Sequence, residues 1–426
     1  MDVTIKKSEI DGNAVPPPSK SYTHRAFLAA ALSKKCKIQN PLIAEDTIAT
    51  LNACKLLGSK YVRKRNSFEF IGFRNAKANY FYLANSGTTL RFLIGLTTLI
   101  KDVKYSILDG DASLRSRPNR ELVLALKNLG AKFKGKDDFK PPVFVKGVVF
   151  GGEVKIKAKS SQFVSSLLFT LPNAAGDSAI FVEDVKSKPY IDVTLHVLKE
   201  AGIKIDVEEN NYYIPGEQSF NLRNFEVPSD FSSASYLIAA GLMAGKIKIE
   251  KMYESMQGDK QIIDIAKKMG GKIKWDKKGG IITAKKSELN SIQIDASNIP
   301  DLVPTISVLA SVAKGKTEIY NAEHLKIKEI DRIDGIYQNL KAVGVDVKKR
   351  DDGLIIKGGR VKGGVVNSFG DHRMALAFSL LGLVAEKGVT VKNAEVVSVS
   401  FPNYFESLSK IGCKVFKHSQ KNFQPI

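Results

Sequence analysis

Six times along this chain a helical pattern ends on an apolar residue and a glycine, and an alternating strand follows at once. The copies read LNACKLLGSKYV, LVLALKNLGAKF, VTLHVLKEAGIKI, IIDIAKKMGGKIKW, IYQNLKAVGVDV and FESLSKIGCKVF. Their glycines, Gly58, Gly130, Gly202, Gly270, Gly344 and Gly412, lie 72, 72, 68, 74 and 68 residues apart. A glycine just past a helix end suits the left-handed backbone that would press a Cβ against the preceding carbonyl. One such match is weak, but six at a near-constant period define a repeated building block.

A second helix alternates with the first. Its copies open on small polar or acidic residues and then turn apolar: SKSYTHRAFLAAAL, NSGTTLRFLIGLT, SSQFVSSLLFTL, SDFSSASYLIAAGL, PDLVPTISVLASVA and GDHRMALAFSLLGLVA. Anchored at Ser21, Ser86, Ser161, Ser232, Asp301 and Asp371, they are spaced 65, 75, 71, 69 and 70 residues. Ser and Asp suit helix N-caps, where their oxygens accept from free backbone N–H groups. The bodies of these helices are too apolar for a surface position and are expected to be buried. Strands such as GKIKIEKM, GKTEIYNA and KGVTVKNA follow them. The unit is therefore strand, helix, strand, helix, then one or two strands. Six units of this size suit two α/β domains of three units each, over 15–226 and over 1–14 plus 227–426. The passages near Val227 and near the N-terminal strand are the expected hinge zone.

Lys and Arg number 65 against 44 Asp and Glu, a formal charge of +21. That surplus suits an anionic partner: nucleic acid, an acidic membrane face or a phosphorylated metabolite. Aromatic residues are 8% and do not alternate with basic stripes, which disfavours nucleic acid. No apolar run is long enough to cross a bilayer and the first residues lack a signal-peptide core, so a cytoplasmic protein is expected. Cys36, Cys54 and Cys413 are too far apart for a zinc knuckle or redox pair, and His24, His196, His324, His372 and His418 show no metal spacing. Gly315-Lys316-Thr317 resembles the end of a P-loop, but Ala310 stands where its first glycine is required, and it reads as a strand start.

The unusual polar residues gather at the starts of the apolar helices. Lys20, Ser21 and Arg25 open the first; Asn85, Gly87, Thr88 and Arg91 the second; Ser160, Ser161 and Gln162 the third; Asp301 the fifth; Asp371, His372 and Arg373 the sixth. Two loops add Arg115 with Arg117, and Lys328, Glu329, Asp331 and Arg332. Guanidinium forks grip carboxylate and phosphate at two points, while hydroxyls, amides and helix N-termini supply neutral donors to the same oxygens. Any one such arginine is most simply a surface ion pair; a repeated placement points to small anions.

PPSKSYTHR, NSGTTLR, DASLRSRP, SSQFVSSLL, SKPY, IPDLVP, KIKEIDR and FGDHRMA, in this order from residue 16 to about 408, together resemble the 5-enolpyruvylshikimate-3-phosphate synthase family. The resemblance implies an inside-out α/β barrel fold of two domains, each of three βαβαββ units, with the active site in the cleft between them. It implies transfer of the enolpyruvyl group of phosphoenolpyruvate to the 5-hydroxyl of shikimate 3-phosphate, with release of phosphate. Carried over by motif, Lys20, Ser21, Arg25, Ser160, Ser161, Gln162, Ser187, Tyr190, Asp301 and Lys328 would hold shikimate 3-phosphate. Lys20, Gly87, Arg117, Gln162, Arg332 and Arg373 would hold phosphoenolpyruvate. Asp301 would be the base, Glu329 the acid, and Lys20 able to share either role. No metal or other cofactor is called for, the partners are the two small substrates rather than nucleic acid or membrane, and a monomer that closes around them is expected.

Four positions depart from the family pattern. Val399, two residues before Phe401-Pro402, stands where a phosphoenolpyruvate-contacting Lys is common; Phe92 stands for a frequent Pro, and His324 and Lys326 for Asn and Arg. The sister UDP-N-acetylglucosamine enolpyruvyl transferases carry a Cys near DASLRSRP, and this loop has none. A basic nucleic-acid-binding protein remains the alternative of a different class.

Overall fold

The computed structural model describes residues 1–72, 79–100 and 104–418 of the 426-residue chain. These form two compact units, one of Met1–Pro17 with the chain from Ser229 onward, the other of Pro18–Pro228. Twelve α-helices occur among the described residues: α1 Lys20–Leu32, α2 Glu45–Leu56, α3 Gly87–Leu96, α4 Arg120–Asn128, α5 Ser161–Thr170, α6 Lys188–Glu200, α7 Phe231–Ala244, α8 Ile262–Lys268, α9 Val303–Val312, α10 Arg332–Ala342, α11 His372–Ser379 and α12 Tyr404–Lys410.

The even-numbered helices are those that end on the repeated glycine. In α4 (RELVLALKN), Leu122, Val123, Ala125 and Leu126 are buried, one face of a 3.6-residue period. Gly130 follows at φ +104°, and the other five glycines also lie at positive φ, from +77° to +103°. At Gly130 an added Cβ would stand 3.0 Å from the Phe150 ring, so space as well as backbone selects glycine there.

The odd-numbered helices are the buried ones. All fourteen residues of α7 and all eight of α11 are buried. Among the described residues six four-stranded sheets accompany them, three in each unit. In three of these sheets a strand before the buried helix pairs in parallel with the strand after it, and a hairpin following the even helix adds antiparallel, as in Tyr80–Tyr82, Ser106–Asp109, Val143–Lys146 and Lys132–Lys134. The parallel pair needs a crossover, and the apolar helix supplies it. Two strands close every block, where the sequence left one or two open.

Three blocks are completed by chain far away in sequence. Asn224–Glu226 pairs with Lys35–Gln39 beside α1. Ile10–Ala14 pairs with Gly245–Ile249 beside α7, and Asp2–Lys6 lies between Val389–Lys392 and Lys414–His418. Each unit has its own hydrophobic core. Cys36, Cys54 and Cys413 are buried thiols; burial pushes Cys36 and Cys413 up to about 12.

The caps differ in part from the sequence anchors. Ser86 and Asp371 cap their helices through their own side chains. For α1, α5 and α7 the caps are Ser19, Ser160 and Asp230, so Ser21, Ser161 and Ser232 lie inside the first turn. Helix α9 begins after Leu302 with Pro304 in its first turn and no side-chain cap. Asp301 is thereby left to make other contacts.

Candidate active site

In the Pro18–Pro228 unit, α1 sets Lys20, Ser21, His24 and Arg25 on its first turns. Lys20 Nζ donates to Asp46 Oδ2 at 2.9 Å, a pair with little exposure on either side. Arg25 is 2% exposed. Its Nε donates to Thr194 Oγ1 at 2.7 Å, one terminal nitrogen to the Ser21 carbonyl at 2.8 Å, and the other to the Tyr190 carbonyl at 3.1 Å and Ser165 Oγ at 3.4 Å. All four partners are neutral, and the guanidinium lies 5.4 Å from the Phe92 ring centroid. Burial pulls its pKa down to about 10, a direction that an anion brought alongside would reverse.

Helices α5 and α6 bring the other proposed donors to the same unit. Ser160 caps α5 and accepts from the Gln162 backbone at 3.4 Å, with Ser161 buried behind it. Gln162 bridges: its Oε1 accepts from Arg91 and its Nε2 donates to Thr88 Oγ1 at 2.9 Å. Ser187 precedes α6 with left-handed backbone at φ +58°, sparsely populated for a residue with a Cβ. Tyr190 sits on the first turn and offers its carbonyl to Arg25.

The two arginines of DASLRSRP part company. Arg115 is engaged on its own strand end, its Nε and a terminal nitrogen 2.8 and 2.6 Å from the two oxygens of Asp109, and this pairing holds the Asp109 carboxyl below its ordinary range. Arg117 is buried and turns to Asn85, donating to its Oδ1 at 2.6 Å. A Cβ at Gly87 would stand 2.6 Å from an Arg117 terminal nitrogen, so glycine is what admits the guanidinium to the start of α3.

In the other unit the charges are interlocked. Arg332, the first residue of α10, is 1% exposed and donates from all three nitrogens: to Asp371 Oδ2 at 2.6 Å, Asp301 Oδ1 at 2.9 Å and Glu329 Oε2 at 2.7 Å. Burial opposes its charge, but Asp371, Glu329 and Asp301 outweigh burial and hold its pKa above the ordinary value. Arg373 donates to the second oxygen of Asp301 at 2.6 Å and reaches Tyr236 Oη at 3.4 Å. Asp371 caps α11 through the Arg373 backbone at 2.8 Å. The starts of α9, α10 and α11 therefore meet through one hydrogen-bonded set, with α7 contributing Tyr236. Lys328 and Glu329 lie half-buried just before it.

Sequence reasoning missed several neighbours. Asp46 beside Lys20, and Thr194 and Ser165 around Arg25, carry no local signal that marks them. Asp259 is a buried carboxyl that accepts from Ser232; burial first, and then the negative charge of Asp301, push its pKa up to about 7. Of the departures noted above, Phe92 is core, His324 is buried, Lys326 is exposed and Val399 is half-buried.

A family model described as EPSP synthase (3-phosphoshikimate 1-carboxyvinyltransferase) matches residues 5–408. A 3-phosphoshikimate 1-carboxyvinyltransferase of Archaeoglobus fulgidus is 62% identical over 419 residues, 98% of this chain and 100% of that protein. One of Methanosarcina acetivorans is 40% identical, covering 99% of this chain and 100% of its own. The solved structure of the EPSP synthase of Acinetobacter baumannii superimposes with a TM-score of 0.82 at 27% identity, covering 98% and 100% of the two chains.

Proposed function

The chain belongs to the EPSP synthase family, and on that premise we propose that it transfers the enolpyruvyl group of phosphoenolpyruvate to the 5-hydroxyl of shikimate 3-phosphate. The observation that carries the assignment of roles is the Asp301–Arg332–Glu329–Arg373 set, in which two carboxylates suited to proton transfer are oriented by one buried guanidinium.

Addition requires a proton taken from the 5-hydroxyl and a proton delivered to the methylene carbon of phosphoenolpyruvate. Asp301 is assigned the first and Glu329 the second, with Lys20 able to share either. The resulting tetrahedral adduct carries a methyl group. It loses a proton from that methyl and its phosphate, restoring the double bond in the product. Arg373 and Arg117 would stabilise the departing phosphate. Because Arg373 and Arg332 each hold one oxygen of Asp301, an anion drawn to Arg373 competes for its N–H groups and leaves Asp301 a better base.

Lys20, Ser21, Arg25, Ser160, Ser161, Gln162, Ser187, Tyr190 and Lys328 are assigned to shikimate 3-phosphate. Gly87, Arg117, Gln162, Arg332 and Arg373 are assigned to phosphoenolpyruvate. Support for the first set is Arg25: a buried cation surrounded by neutral oxygens favours an anionic ligand. Support for the second is the glycine-admitted guanidinium at the start of α3. Arg332, with every nitrogen on a carboxylate, is better suited to orienting Asp301 and Glu329 than to gripping substrate alone.

The test is phosphate release from the full chain mixed with phosphoenolpyruvate and shikimate 3-phosphate, with UDP-N-acetylglucosamine as the parallel acceptor. Release with shikimate 3-phosphate alone is expected; no release, or equal release with both acceptors, overturns the reading.

A further inference from the structure

Helix α2 carries none of the residues assigned above, yet it touches the site-bearing turns of both α1 and α3. Asp46 and Thr50 lie one turn apart on one face of α2, and Lys20 and His24 lie one turn apart on α1. They pair in step: Asp46 with Lys20 at 2.9 Å and Thr50 Oγ1 with His24 Nδ1 at 2.6 Å. From Thr50 the hydrogen bonding continues. Its hydroxyl meets Thr89 Oγ1 at 2.6 Å, and Thr89 Oγ1 meets Ser86 Oγ at 2.7 Å. Ser86 is the N-cap of α3 and stands between Asn85, which receives Arg117, and Gly87, which admits it.

Every member of this chain is buried: His24 at 1%, Thr50, Thr89 and Ser86 at 0% exposure. Burial holds His24 well below its ordinary pKa, so the imidazole is neutral, and its Nε2 has no hydrogen-bond partner among the described residues. Four linked polar groups in a dry core gain little net stability over apolar side chains of the same shape, because each must first give up water. Hydrogen bonds of fixed length and direction do set the spacing of the elements they join, which apolar contacts specify less sharply.

We propose that Thr50 is a positioning residue, which through His24 on one side and Thr89–Ser86 on the other fixes the Asn85–Arg91 turn relative to Lys20. This rests on the reading above, in which that turn with Arg117 takes phosphoenolpyruvate and Lys20 touches both substrates. The role is specific to α2: without the Thr50 hydroxyl both its neighbours lose a partner, α3 is no longer tied to α1 by this path, and the seat of Arg117 loosens while Arg25 keeps its own contacts to Ser165, Thr194 and Tyr190.

The experiment compares the wild-type chain with Thr50→Val, which keeps the shape without the hydroxyl, and Thr50→Ser, which keeps the hydroxyl. Thr50→Val should raise KM for phosphoenolpyruvate about three- to tenfold, the factor set by one neutral hydrogen bond. KM for shikimate 3-phosphate should stay within about twofold, the scatter allowed to an uninvolved site. Thr50→Ser should return the phosphoenolpyruvate KM to near wild type. An unchanged phosphoenolpyruvate KM in Thr50→Val, an equal rise for both substrates, or no recovery in Thr50→Ser overturns the proposal. If Thr50→Val does not fold, Thr89→Val breaks the next link and is held to the same outcomes. A wild-type chain that releases no phosphate defeats the parent reading and this role with it, whereas an active wild type with an indifferent Thr50→Val defeats this role alone.

Discussion

Arg25 and Arg332 are both buried guanidinium groups at the start of a helix, one in each unit, and their surroundings are opposite. Around Arg25 stand two hydroxyls and two backbone carbonyls; around Arg332 stand three carboxylates. A cation neutralised by its own chain has little left to offer a ligand, and removing it strands the carboxylates it served. A cation solvated by neutral oxygens keeps its full charge, and its removal is felt chiefly by whatever anion comes to it. One repeated block thus sets a guanidinium among neutral oxygens in one unit and among carboxylates in the other, according to what neighbouring helices place beside it.

The contrast can be put to the test at several strengths. The largest effect is expected for Asp301→Asn, which keeps an acceptor for Arg332 and removes the proposed base: turnover should fall by about 10²–10⁴-fold with the fold retained. Steady-state rates alongside circular dichroism check this, and near-normal turnover removes Asp301 from that role. Next, Arg332→Met should cost about 3–5 kcal/mol of stability in denaturant unfolding, because three carboxylates lose their shared partner. Arg25→Met should cost much less stability but raise KM for shikimate 3-phosphate by about a hundredfold, the loss of a buried charge contact. Similar stability losses for the two variants would erase the distinction between them.

Two smaller effects concern pH. The folded unit containing His24 does not take up the proton that the unfolded chain binds below its ordinary value of 6.5. The unfolded state therefore binds more protons there, and stability falls as pH drops through that range. Hydrogen exchange across α1–α3 should show protection declining from pH 7 to 5.5, and His24→Gln should flatten the decline. Asp259 acts in the opposite sense. Its folded value of about 7 exceeds its ordinary 3.8, so between these the folded state holds the extra proton and stability falls as pH rises. Trp275, the single tryptophan, lies in the same unit and reports its unfolding. Asp259→Asn should gain stability over wild type from pH 5 to pH 8; a constant difference would mean that Asp259 ionises normally.

Much of this architecture is legible before any coordinates. The six glycines announce left-handed helix ends because that requirement is local, set by one residue's missing Cβ. The apolar alternate helices announce their burial because no arrangement leaves such surfaces in water. The polar segments name Glu329, Arg332, Asp371 and Arg373, which meet at Asp301, but not Thr194 and Ser165, the side chains that receive Arg25. The missing strands were less legible: DVTIK at the N-terminus gives no hint that its partners are Val389–Lys392 and Lys414–His418. Nor does the SKSYTHR opening tell where the cap falls within two residues, since Ser19 and Ser21 are equally good oxygens.

Residue types and their period along the chain were enough for the blocks, their number and the kinds of group they present, because helix ends, strand alternation and burial depend on neighbours within a few positions. Which carboxylate answers which cation was a matter of packing. Lys20 found Asp46, Arg25 found only neutral oxygens, Arg332 collected three acids, and Thr50 came to link two helices. Those outcomes depend on side chains brought within 3 Å or so by helix crossings, and electrostatic compensation at such range has no counterpart in the order of residues along the chain.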